Sequence, residues 1–168
     1  MAAATIEICE SNGAGETVSH NITNTNMGNT DAVNLDPVAY PIAPGSRTYA
    51  KYQRLHVTSI GTSSAINNLK IWRTGALGGS ATHVTNAGTT TNYSVKTYAT
   101  PTTSSIADVD NTMPTSTPAS ANLGIAGALA NSLTAAGYSD YLVHQIISDA
   151  GDIAGSTSTM SYQYDEIA

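Results

Sequence analysis

Phenylalanine is missing from this 168-residue chain, tryptophan and cysteine occur once each, and charged residues make up only 11% of it. An ordinary soluble domain carries about 25% charged side chains. Lys, Arg, Glu and Asp sustain most exposed helices and most acid–base chemistry, so their scarcity argues against a helical fold and against an enzyme. The single Cys9 cannot close an intramolecular disulfide, and a zinc centre draws on several thiols or imidazoles at close spacing. Basic residues are few as well. Six Lys and Arg face twelve Asp and Glu, a net charge of −6, which is the wrong sign for holding phosphates; no direct nucleic-acid partner is expected. No stretch approaches the ~18 consecutive apolar residues of a membrane span, and residues 1–5 show no basic cluster followed by an apolar run. The expectation is a leaderless protein made in a cytoplasm, without a membrane partner.

What is there instead is Thr, Ser and Asn, together roughly a third of the chain. Period-2 alternation rich in Thr, Val, Ile and Tyr recurs between Gly, Pro and Asn, which is the pattern of short strands and turns. Residues 5–9 alternate Ile6 and Ile8 against Glu7, and a second strand is read over 17–25. A short candidate follows at 31–35. The central strand, 52–60, points Leu55 and Val57 inward and Arg54, His56 and Thr58 outward. Residues 66–73 return with Leu69 and Ile71 inward, and the two segments are expected to pair as a hairpin. Weaker strands are read at 80–84 and 92–98, and clear ones at 138–148 and 156–166. The stretch 122–133 suits helix or strand; Gly124 and Gly127, each costing about 1 kcal/mol inside a helix, favour strand and turn. Residues 100–120 hold three prolines in a Thr/Ser-rich background and read as a long surface loop or arm.

About eight short strands in one domain spanning 1–168 predict an all-β, immunoglobulin-like or jelly-roll-type β-sandwich with that long Thr/Ser/Pro-rich loop. Leu55, Val57, Leu69, Ile71, Val143 and Ile147 are expected in one core. Tyr138 or Tyr141 is a candidate tyrosine corner, its hydroxyl returning to the backbone a few residues upstream.

Chemistry is hard to find. His20, His56, His83 and His144 lie far apart, none with a second ligand at metal-site spacing, and read as ordinary surface or sheet histidines. Asp108-Val109-Asp110 lacks the glycine and the distal Glu of a calcium loop. Asp165 and Glu166 alternate to opposite faces, poor geometry for an acid and base pair. No catalytic residue, cofactor or metal is therefore expected. The basic residues all fall between 47 and 96, and on the expected hairpin Arg54, Lys70 and Trp72 share the outward face. With Arg73 they form the candidate interface, since Arg and Trp are enriched at binding hot spots.

Four segments, YAKYQRLHV at 49–57, INNLKIWRTG at 66–75, AGYSDYLVHQ at 136–145 and YQYDEI at 162–167, resemble small accessory structural proteins of tailed bacteriophages. The resemblance implies a non-enzymatic virion protein, made in the host bacterial cytoplasm, that binds capsid or neck as a decoration, cement or collar component. Its implied partners are viral structural proteins, the major capsid protein or portal, neck and tail components, in a homo-oligomer or symmetric array. The alternative is a carbohydrate-binding or adhesion β-sandwich module of a tail or cell-surface assembly.

Overall fold

The computed structural model describes residues 2–152 and 155–168. Among them there is no helix, and every strand pairing is antiparallel. The strands are β1 (Thr5–Asn12), β2 (Thr17–Ser19), β3 (Lys51–Ser59), β4 (Ala65–Thr74), β5 (Thr82–Thr85), β6 (Asn111–Thr112), β7 (Gly137–Tyr138), β8 (Leu142–Ile147) and β9 (Thr159–Ile167). Seven of them form one sheet in the order β2-β1-β3-β8-β5-β6, with β7 also on β3, while β4 and β9 form a second, two-stranded sheet.

The expected β3–β4 hairpin is therefore not made. The chain turns at 60–64 and crosses from one sheet to the other, so Leu55 and Val57 meet Ile66, Leu69 and Ile71 face to face across a shared core. Both strands do turn their apolar residues inward, and that pattern cannot distinguish strands side by side from strands stacked. Ile66 has the opposite parity to Leu69 and Ile71, yet all three are buried. A β-bulge reconciles them: register passes from Asn67↔Asp165 to Lys70↔Gln163, and the extra residue, Asn68, sits in the left-handed region at φ 51°.

The large sheet is packed on both faces, because successive residues of β3 and β8 alternate sides. Leu55, Val57 and Leu142 face the small sheet, while Tyr52, Tyr141 and Val143 join Ala50 and Val109 in a second cluster with Tyr98 and Ile106. Hence the expected single core is two: Val143 belongs to the second, and Ile147 is only half-buried. The loop 100–120 is irregular apart from β6, but it is more than surface. It delivers Val109 to one cluster and Met113 to the other. The segment 122–133 is turn and isolated bridge, Ile125↔Ala128 and Ile66↔Leu133. Residues 20–25, 31–35 and 92–98 form no strand. The expected strand 138–148 is interrupted between β7 and β8, where Ser139 Oγ accepts the Leu55 N–H. Tyr141 makes no tyrosine corner; its hydroxyl bonds the side chains of Ser11 and Glu16, and Tyr138 stacks on His56.

Candidate functional site

Along β1, Ile6 and Ile8 pack on the core, which sends Glu7 and Cys9 to the opposite face of the sheet. Glu7 lies in register with His56 of β3. On the other side β2 pairs back along β1 and ends at Ser19, so His20 follows at the level of Cys9. Asn21 then adopts φ 49°, and the Ile22 N–H donates to the Ile8 carbonyl at 3.1 Å, which holds this turn against β1. Three adjacent strands thus bring four side chains to one point. Glu7 Oε1 is 2.7 Å from His20 Nδ1 and 2.7 Å from His56 Nδ1. Cys9 Sγ is 3.2 Å from His20 Nδ1 and 3.7 Å from the same Glu7 oxygen. All four donor atoms lie within 4.8 Å of one another.

The walls of the site are aromatic and cationic. The His56 ring stacks on Tyr138 at 4.1 Å, and the Arg54 guanidinium lies 4.3 Å and 4.4 Å from the ring centres of Tyr138 and Tyr141. Hydrogen bonds from His56 and then His20 hold the Glu7 carboxyl below its usual value. Burial, followed by the Glu7 charge, pushes the Cys9 thiol up to about 11, so on its own it is a protonated thiol and a poor nucleophile. Comparison with known protein families, with curated proteins and with solved structures found no match.

A second polar assembly crosses the inner face of the large sheet. Burial, and then the charge of Arg73, lowers His83 to about 3, and burial with the charges of His83 and Lys51 takes His144 well below its usual value. With both rings neutral, the hydrogen bonds run in one direction. His83 Nε2–H donates to His144 Nδ1 (2.8 Å), His144 Nε2–H to Gln53 Oε1 (3.0 Å), and Gln53 Nε2 to Glu10 Oε2 (3.0 Å). The chain ends on a buried ion pair, Lys51 Nζ to Glu10 Oε1 at 2.7 Å, with Lys51 also donating to the Ala32 carbonyl at 2.6 Å. The four histidines are therefore two pairs rather than isolated sheet residues. No sequence spacing announced either pair, because each is assembled by strand order.

The candidate interface fares differently. With β3 and β4 in separate sheets, the shared outward face that grouped Arg54 with Lys70 and Trp72 does not exist. Arg54 is held between the two tyrosines, Lys70 Nζ donates to the Ala119 carbonyl at 3.2 Å, Trp72 is half-buried, and Arg73 donates to the Gly75 carbonyl. Asp108 of the weak calcium-like stretch is engaged by Lys96 Nζ at 3.0 Å. An exposed apolar feature appears where none was predicted. Val38 is 87% and Tyr40 45% exposed on a turn locked by the Asp36 carboxylate, which accepts the Val38 N–H at 2.9 Å, and by the Tyr40 N–H on the Asp36 carbonyl at 3.1 Å.

Proposed function

We propose that this protein is a non-enzymatic structural component of a tailed-bacteriophage virion, a decoration, cement or collar protein that binds capsid, neck or tail proteins in a symmetric array. The observation that carries the reading is where the phage-like segments fall. The four coincide with the entry and body of β3, with β4, with β7 and most of β8, and with the end of β9, so they cover both strands of the small sheet and three of the seven strands of the large one. The segments thus fall mainly on paired strands, with Ser139, Asp140 and Tyr141 between β7 and β8 as an irregular exception. Within this reading the sheets form a reduced sandwich of the immunoglobulin-like or jelly-roll kind, supported by antiparallel pairing throughout and by the very short outer strands β2 and β6 that bound the large sheet.

Attachment to a preassembled particle calls for a small apolar anchor that leaves the free protein soluble, multiplied by symmetry. The rigid Val38–Tyr40 turn meets that need better than Trp72, and Arg73 and Lys70 remain candidate charge partners. Mass spectrometry of purified particles tests the proposal: copies in the hundreds mark a head component and about a dozen a neck component, following particle symmetry. Absence from purified particles overturns it. In co-sedimentation with such particles, Val38→Asp is expected to weaken association at least tenfold, about 1.4 kcal/mol, with the melting temperature unchanged.

A further inference from the structure

We infer that Glu7, Cys9, His20 and His56 form a structural zinc site that staples the β2 edge of the large sheet. Proton counting on the four side chains points to a cation. Glu7 Oε1 is approached by three donors, the Nδ1 atoms of His20 and His56 and the Cys9 thiol, although one carboxylate oxygen offers only two lone pairs. His20 Nδ1 is also 3.2 Å from Cys9 Sγ; if it gives its hydrogen to Glu7 it has none for sulfur, and if it accepts from sulfur it loses the bond to Glu7. No assignment of ordinary two-centre hydrogen bonds satisfies every contact. A cation at the centre satisfies all four groups at once, each imidazole carrying its proton on Nε2 and turning its Nδ1 lone pair inward.

The dimensions fit a tetrahedral ion. Bonds of 2.0 to 2.3 Å place ligand atoms about 3.3 to 3.8 Å apart along the edges of the tetrahedron. The Cys9–Glu7 contact, 3.7 Å, already has that length, the Cys9–His20 contact at 3.2 Å falls just short of it, and the two 2.7 Å contacts to Glu7 open to it by a rotation of the carboxylate. Nitrogen and sulfur donors select against calcium and magnesium, and the charged fourth ligand differs from the weak axial group of a copper electron-transfer site. Four protein ligands close the coordination shell, which assigns the ion a structural task. β2 has only three residues, and the ion would fix it to β1 and β3 together. Binding is balanced by release of the thiol proton: Cys9 S–H and Zn²⁺ give the zinc thiolate and one H⁺. Access is open, His20 being 48% exposed.

The test uses the full chain, treated with chelator, dialysed and titrated with zinc chloride, then separately with cobalt(II) as a spectroscopic reporter. One zinc ion per chain, a raised melting temperature, and thiolate-to-cobalt charge-transfer absorption with the strong visible bands of a tetrahedral ion are expected. His20→Gln lies at an exposed position after a short strand and is expected to keep the fold while weakening zinc binding at least tenfold. Cys9→Ser is expected to remove the charge-transfer absorption. Substoichiometric zinc on a folded chain, uptake of copper(II) but not zinc, or zinc affinity unchanged in His20→Gln would each overturn the assignment.

Discussion

Asn122 does with one side chain what a strand does with its backbone. Its Oδ1 accepts the Ile71 N–H and its Nδ2 donates to the Ile71 carbonyl, both at 2.8 Å, so the inner edge of β4 is paired without a neighbouring strand. Removing it strands two buried peptide groups, each costing about 1–3 kcal/mol. Asn122→Ala is accordingly expected to lower unfolding stability by at least about 2 kcal/mol in urea titrations, whereas a substitution at exposed Thr115 leaves it unchanged. The Glu10–Lys51 pair obeys a different rule, since both side chains are almost wholly buried. Lys51→Met leaves a buried carboxylate with only amide partners and is expected to cost about 3–5 kcal/mol, while the double variant Glu10→Gln with Lys51→Met recovers most of that loss. If the double variant is no more stable than the single one, the pair is not the source of the cost.

At the scale of elements, alternation identified β1, β3, β4 and β9, with Leu55, Val57, Leu69 and Ile71 inward on β3 and β4, because period-2 burial is a local property of a strand. What it could not identify is which strand lies beside which. The Ile66 parity slip is the instructive case: in sequence it looks like a strand that begins late, and only the bulge at Asn68, held by its amide on Asp165 at 2.7 Å, lets all three apolar residues face one core. The candidate site was legible in the same partial way. Glu7 faced away from Ile6 and Ile8 and His56 faced outward, but their meeting requires β1 to lie on β3 across the long connection 20–50, which no local pattern encodes. That 92–98 forms no strand, and that the loop 100–120 also reaches the core, has another cause. Their backbone groups are satisfied by side chains such as Asn86 and Gln145, whose amides donate to the Ser94, Thr102 and Ser104 carbonyls, so irregular chain can be buried. Since Met113 is fully buried and Val109 nearly so, deleting 102–117 is expected to abolish the cooperative thermal transition followed by circular dichroism. A transition within a few degrees of the parent would show the loop to be dispensable.

For the whole molecule, His83 and His144 set an acid limit. Both bind a proton less readily when folded than at their usual value of 6.5, so as pH falls the unfolded chain takes up protons that the folded chain refuses. Stability is complete above 6.5 and declines as pH drops toward about 3, where His83 charges in the folded state. Each histidine approaches a slope of about 1.4 kcal/mol per pH unit once its unfolded form is protonated, which makes roughly 3 kcal/mol for the two between pH 6.5 and 5. Urea midpoints measured across that interval are expected to fall steeply, and His83→Gln to flatten the decline. The pairing of β4 with β9 has a consequence in time. Ala65 pairs with Ile167 and Thr74 with Thr159, so the small sheet closes only after a connection of more than eighty residues has been ordered. Such distant pairing places refolding in the millisecond-to-second range. Throughout that delay Ile66, Leu69 and Ile71 lack the strand that completes their sheet, and a nascent chain paused before residue 159 would offer them to its neighbours on the ribosome.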